Sequence, residues 1–489
     1  MGDIGKLAVM RCGGEGNMTR IIQGALWLVL LAPGLAAAAN DVVPQEAQAA
    51  AVETDVPKLQ TDRHRETGLP DPQTTDQKKA DPKAGADTEK LPAPQALPAA
   101  ADATPCDPCF FLNADYLLWW IRRGPATAFV TTAPDNGTGL IGDPSTRILY
   151  GQGGINYDTF SGVRLGAGWN FGCDRFWGLE ASGFLLESRS AHFAAASDPA
   201  GNPFLLRPFL SVVTTEESGV VIANSIAPGR VQGDIIIDSH TRLWSYEANL
   251  VAHSIREANR RFDLFVGYRS MALDENLNIQ EDLTLIDAGA SIFQTSPVGQ
   301  TSSVLTPGAG SNIVVLDQFS THNRFYGGQI GGRFQWLWNC WTLDLTAKLA
   351  LGVTHEAVTI DGVSTLNDPT TAAGTIVTPG GLLALAGVPG TNSGVYSRDR
   401  FAVIPEMDLQ VHCDLTCHVR ASFGYTGVYW SAVARPGDQI DRNVNPKLVP
   451  TGIVAGDFDP KTEQTRPTFA FRDNGFWAHG VTLGVELRY

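Results

Sequence analysis

Ten charged side chains recur inside otherwise apolar or small-residue stretches: Arg164, Glu180, Glu247, Asp263, Arg269, Arg333, Asp344, Lys348, Glu406 and Asp408. Along an extended chain, side chains at alternate positions project to the same face. If that face lines a water-filled passage, acids and bases of this kind select solutes by charge. If it faces a narrow interior, they pair with one another and fill it. Other chemistries lack their spacing. His355-Glu356 opens like a zinc-protease helix, but Thr359 stands where the second ligand belongs. No G-x-S-x-G elbow and no G-x-x-x-x-G-K-[ST] loop occurs. Gly151-Gln152-Gly153-Gly154 has no helix after it and reads as loop glycine rather than a phosphate cradle. The expectation is a non-enzyme with no catalytic residues, no metal site and no cofactor.

The chain has seven cysteines, of which Cys12 falls in the leader described below. Cys106-Asp107-Pro108-Cys109 has the spacing of a redox motif without a βαβ pattern around it, so a structural Cys106–Cys109 bridge is the better reading. No second pair follows at zinc-ligand spacing. Cys413 and Cys417 flank one tight turn and form a second candidate disulfide. Cys173 and Cys340 sit at two other turns and can pair only if those turns adjoin.

The elements that must carry these residues are strands. In Trp341-Thr342-Leu343-Asp344-Leu345-Thr346-Ala347-Lys348-Leu349-Ala350-Leu351-Gly352-Val353 every odd position is apolar. That period of two puts the leucines on one face and Asp344, Thr346 and Lys348 on the other. The same alternation runs through Val163–Phe171, Trp177–Ala181, Trp244–Leu250, Phe262–Tyr268, Tyr326–Trp336, Phe401–Val411 and Val419–Tyr425. The last strand is the most specific: Val481, Leu483, Val485, Leu487 and the terminal Tyr489 alternate with Thr482, Gly484, Glu486 and Arg488. A closing strand that alternates and ends on an aromatic resembles the C-terminal signal of bacterial outer-membrane barrels, which the assembly machinery reads.

Connections alternate in length. Short ones lie near 172–174, 256–261, 338–340 and 414–416; long ones cover about 123–157, 194–234, 277–319, 356–397 and 432–473. Short periplasmic turns alternating with long external loops describe an antiparallel up-and-down transmembrane β-barrel. Starting at Phe110, the count is ten strands. Twelve is the alternative, because 204–232 holds two further apolar runs, Phe209–Val213 and Val220–Ile222. Loops of this length are unusual without structure of their own, so strands are expected to continue beyond the membrane.

Composition and the N-terminal region agree with export. Arg20, the apolar run from Ile21 to Leu31, and Leu35-Ala36-Ala37-Ala38-Ala39 read as a signal peptide over 1–39. Residues 40–105 contain no Phe, Trp or Tyr and are rich in Pro and Ala, so a disordered linker is expected there. The barrel domain then spans 106–489. With 51 Asp+Glu against 36 Lys+Arg the chain does not suit phosphate backbones, so no nucleic-acid partner is expected. The partners implied are outer-membrane lipid and the assembly machinery. Nothing in the sequence states an oligomeric state.

Several phrases go beyond generic barrel statistics: Asp115-Tyr116-Leu117-Leu118-Trp119-Trp120, Phe265-Val266-Gly267-Tyr268-Arg269 and Phe325-Tyr326-Gly327-Gly328-Gln329. Others are Ser397-Arg398-Asp399-Arg400-Phe401 through Pro405-Glu406, and Arg435-Pro436-Gly437-Asp438-Gln439-Ile440-Asp441-Arg442. In these, taken in order over about 110–489, the chain resembles the bacterial outer-membrane beta-barrel porin family numbered seven. The resemblance implies an all-β barrel in the bacterial outer membrane and a porin or channel for small hydrophilic solutes. It supplies no catalytic residues. The alternative function is a structural or surface-interaction protein that uses the barrel to anchor its long external loops.

Overall fold

The computed structural model describes residues 109–489 except 135–136, 172–174, 289, 291, 296–307, 371–373, 451–460 and 462. The signal peptide (1–39), the linker (40–105), Cys106 and Cys173 lie outside the described residues.

The chain enters the wall through β1 (Phe110–Ile121) and leaves it for two short strands, β2 (Val130–Thr132) and β3 (Arg147–Tyr150). It returns as β4 (Phe160–Phe171) and β5 (Trp177–Leu186), and after Glu187-Ser188 continues as β6 (Arg189–Ala196). The hairpin β7 (Leu205–Ser211) and β8 (Glu217–Ala223) follows, and then the two long strands β9 (Val231–Arg256) and β10 (Arg260–Leu285). After the short β11 (Phe293–Thr295) come β12 (Asn312–Trp338), β13 (Trp341–Asn367) and the short β14 (Thr375–Pro379). The wall is completed by β15 (Gly394–Asp414), β16 (Val419–Ala434) and, after the two-residue β17 (Asn443–Val444), by β18 (Asp473–Arg488).

Ten of these strands close a ring in the order β1-β4-β5-β9-β10-β12-β13-β15-β16-β18, with β18 paired back to β1. Every neighbouring pair is antiparallel. At the join, Phe110 and Tyr489 exchange backbone hydrogen bonds of 2.9 and 2.8 Å. Twelve strands is therefore not the architecture. The hairpin foreseen within 204–232 exists as β7 and β8, but it is no part of the ring: it belongs to a second, inner sheet, ordered β11-β8-β7-β2-β3, with β17 beside β7. Its residues explain the placement: Leu205, Leu206, Phe209, Val220, Val221 and Ile222 are all buried, so the hairpin has no apolar face left for lipid.

The long wall strands change phase part-way along. In the lower part of β13 the side chains of Trp341, Leu343, Leu345, Leu349, Leu351 and Val353 are exposed, while Thr342, Asp344 and Thr346 are buried. Beyond Val353 the outward positions become His355, Thr359 and Asp361, and the buried ones become Val358 and Ile360. β10 changes likewise, from exposed Leu264, Val266 and Tyr268 to outward Asp274, Asn276, Asn278 and Asp282 over buried Leu273, Leu277, Ile279 and Leu283. Below the change, the outer surface is made for hydrocarbon. Above it, the surface is made for water. Aromatic side chains mark both borders of the apolar band, with Trp169, Trp177, Trp336, Trp338 and Trp341 at the rim of short turns. Trp120, Tyr246, Tyr268, Tyr326, Tyr429 and Trp477 mark the other border.

Candidate functional site

Inside the band, the wall carries a layer of charge. Nine of the ten predicted lumen residues line one cavity of about 220 Å³: Arg164, Glu180, Glu247, Asp263, Arg333, Asp344, Lys348, Glu406 and Asp408. The tenth, Arg269, is buried beside them and holds Glu406 at 2.6 Å. The period-two pattern brings each side chain inward, and ring closure sets acids and bases from distant strands against one another.

Two clusters result. In the first, Lys348 of β13 bridges Glu247 of β9 at 2.5 Å and Glu406 of β15 at 3.3 Å. Arg269 of β10 also reaches Glu247, at 4.0 Å, and Arg164 of β4 crosses to Asp408 of β15 at 3.3 Å. Three bases meet three acids. In the second, the Arg333 guanidinium donates to both carboxylate oxygens of Glu180, at 2.9 and 2.7 Å, and lies within 4 Å of Asp263 and Asp344. Asp263 takes further bonds from His253 at 2.9 Å and Arg256 at 3.0 Å, and Asp344 accepts from Gln335 at 2.7 Å and Thr346 at 2.9 Å. In both clusters every acid lies within 4 Å of a base.

The cavity ends above this layer. Leu117, Trp119, Phe184, Phe325, Trp430 and Phe476 are all buried next along the interior and belong to one continuous core. That core runs on through Leu273, Ile279, Phe319 and Ile360 of the wall to Val130, Leu205, Phe209, Val220 and Ile222 of the inner sheet. Leu382, Leu383 and Leu385 of the excursion after β14 join it. The cavity's other lining residues, among them Phe111, Arg175, Arg256, Arg261, Arg420 and Arg488, lie at the rim of short turns, where it opens. Among the described residues, the charged cavity and the apolar core are thus successive layers of the interior.

Two buried ion pairs that sequence reading missed fasten the contents to the wall. Arg207 of β7 pairs with Asp317 of β12, and lies 3.6 Å from Glu281 of β10. Asp317 also accepts the backbone N–H groups of Leu383 at 3.1 Å and Ala384 at 2.8 Å. Burial pushes the Glu281 carboxyl up to about 7, Arg207 opposing the rise and Asp317 adding to it. The second pair is Arg435 with Glu275 of β10, bidentate at 2.7 and 2.5 Å. The same guanidinium donates to the carbonyls of Arg122 and Arg123 at 2.9 and 2.7 Å, so the loop that begins at Arg435 folds back against the segment after β1. Gly437 is required there because a Cβ would lie 1.8 Å from the Pro125 carbonyl oxygen. A charged residue in an apolar run, such as Arg207 between Leu206 and Phe209, is the sequence signal that could have revealed such a latch.

His355 and Glu356, considered above as a zinc fragment, sit on opposite faces of β13: His355 bonds Asp399 outside at 2.8 Å and Glu356 binds Arg398 inside at 2.6 Å. Cys340, Cys413 and Cys417 all carry free thiols here; Cys417 is exposed in the turn after β15, while the Cys413 thiol contacts that of Cys340. The closing-strand residues Leu483, Val485 and Tyr489 are exposed on the lipid side, with Val481 and Leu487 half-buried.

Among solved structures, the chain is similar to the outer-membrane protease OmpT of Escherichia coli at 8% identity and TM-score 0.33, covering 78% of this chain and 97% of that one. It is also similar to a Pseudomonas aeruginosa FadL homologue at 6% identity and TM-score 0.20, over 78% and 90% of the two chains. A third is the P. putida toluene transporter TodX, at 7% identity and TM-score 0.16, over 78% and 89%. No curated protein matches the chain. The family described as Putative beta barrel porin-7 (BBP7) matches residues 111–489. With the ten-stranded ring, the apolar band and its aromatic borders, that match makes the chain a bacterial outer-membrane β-barrel and a member of the beta barrel porin-7 family.

Proposed function

We propose that the protein is a closed outer-membrane barrel that anchors a folded head on the cell surface. The observation that carries this reading is the apolar core shared by the wall and the inner sheet above the charged layer. A hydrophilic solute entering from the periplasmic rim meets Trp119, Phe325 and Trp430 before it meets the outside. Barrels of about eight strands are filled by side chains, and aqueous channels appear at about sixteen. Ten strands sit near the filled end. The ten lumen charges then act as filler, each facing an opposite charge on another strand. Small-solute passage needs a continuous wet path, and this interior favours the anchor over the channel. The role is non-catalytic. Its partners are the lipid around the apolar band and the assembly machinery that engages the closing strand.

Single-channel recording in planar bilayers tests it. Silence is expected from protein whose insertion is verified by heat-modifiable gel mobility. Steady open currents from the same preparation would overturn the anchor reading in favour of a solute channel.

A further inference from the structure

We propose that Cys340 and Cys413 form a disulfide that ties β13 to β15 at the periplasmic rim. Ring closure brings the two together, although the whole ascent of β13, the excursion around β14 and the descent of β15 separate them in sequence. Trp341 is the ladder partner of Cys413, and the Asp414 N–H donates to the Cys340 carbonyl at 2.8 Å. The two cysteines are therefore diagonal neighbours on adjoining strand ends, and their thiols are in hydrogen-bond contact. Cys340 is exposed and Cys413 half-buried, so one sulfur is open to a reagent and the other waits beside it. Cys417 stands exposed in the turn beyond, where the Leu415 and Thr416 N–H groups both donate to the Val419 carbonyl.

The short-turn rim faces the periplasm, an oxidising compartment. The oxidant is a periplasmic protein disulfide. The Cys340 thiolate attacks one sulfur of that disulfide and expels the other as a thiolate, giving a mixed disulfide. The Cys413 thiolate then attacks the Cys340 sulfur, and the oxidant leaves fully reduced. Two thiols lose two protons and two electrons, and one disulfide of the oxidant gains them. The bond closes a long loop, unlike a 413–417 bond, which would span a single turn; it restrains the unfolded chain correspondingly more.

Cleavage at methionine tests the pairing on the intact, purified protein after free thiols are blocked. Met271 and Met407 are the methionines that follow Met18, so cyanogen bromide yields fragment 272–407 with Cys340 and fragment 408–489 with Cys413 and Cys417. Without reductant the two fragments should travel as one species, two hydrogens lighter than the summed reduced pair, and reductant should separate them. Cys417→Ala should leave the species joined, and Cys413→Ala should release it. Separate fragments without reductant would overturn the proposal. So would a joined species that survives Cys413→Ala, or fragment 272–407 joined instead to the N-terminal fragment. The wild-type digest is decisive even where a variant fails to assemble.

Discussion

A guanidinium in an apolar surround persists only where carboxylates and carbonyls take up its hydrogens, and removing one partner leaves the other stranded. Arg435 satisfies this with Glu275 and two carbonyls of the segment after β1, which makes one side chain the meeting point of three distant parts of the chain. Arg207 is different, because two carboxylates share it. With Asp317 and Glu281 both ionised the dry site carries an excess negative charge, but it is chiefly burial that raises the Glu281 carboxyl, with Arg207 opposing the rise and Asp317 adding to it. In the unfolded chain Glu281 ionises near 4.5, and in the folded one near 7. Between those values the folded state holds a proton that the unfolded state has released. Stability contributed by this group is therefore present at low pH and falls as pH rises through that window. Glu281→Gln imitates the protonated form. The variant is expected to be more stable than wild type at pH 8, by on the order of 2–3 kcal/mol, and equal to it near pH 4.5. Urea unfolding in detergent across pH measures this. A wild-type-like slope in the variant would place the titration at another group.

At the scale of the element, a strand here is two half-strands with opposite faces. β13 reads apolar-out below Val353 and polar-out above it, with no break in the ladder to β12. Side-chain period, not backbone, tells lipid from water. Leu345 projects to lipid and Thr346 to the lumen, where Thr346 donates to Asp344 at 2.9 Å and is the register partner of Asp408. Leu345→Lys places a charge near mid-membrane and is expected to cost roughly 2–4 kcal/mol. Thr346→Lys puts the ammonium between two carboxylates and should cost much less. Unfolding midpoints of the two variants in lipid read the difference. Equal destabilisation, or the reverse order, would mean the strand faces the other way.

The whole molecule joins a membrane barrel to a head of soluble character built from the same strands. The inner sheet is part of that head's core rather than a loose insert. Val220, Ile222, Leu205 and Phe209 pack in one cluster with Leu277, Ile279 and Phe319 of the wall. Its amides are therefore expected to exchange with solvent as slowly as those of the upper wall. Hydrogen exchange read by mass over 205–223 and 271–285 compares them directly. Exchange of the hairpin within seconds, beside a protected wall, would make the inner sheet a plug that leaves the lumen and would weaken the closed-barrel reading.

The ring, its strand number and its lipid face were legible in the chain, because each strand writes its own environment at period two and needs no partner to do so. Trp341–Val353 and Val481–Tyr489 carry that information locally. The phase change after Val353 was also written there, as His355, Thr359 and Asp361 opposite Val358 and Ile360, yet it acquires meaning only once the strand's upper half is known to stand in water. Two matters belonged to tertiary structure alone. The β7–β8 hairpin looks like any buried hairpin from its residues; only the ring's capacity to hold it decides that it goes inside instead of into the wall. The lumen charges alternate in the same way whether they line a pore or seal one. Which acid meets which base is decided across the ring, as when Lys348 meets Glu247 and Glu406, because pairing between strands far apart in sequence is a property of closure and not of any strand.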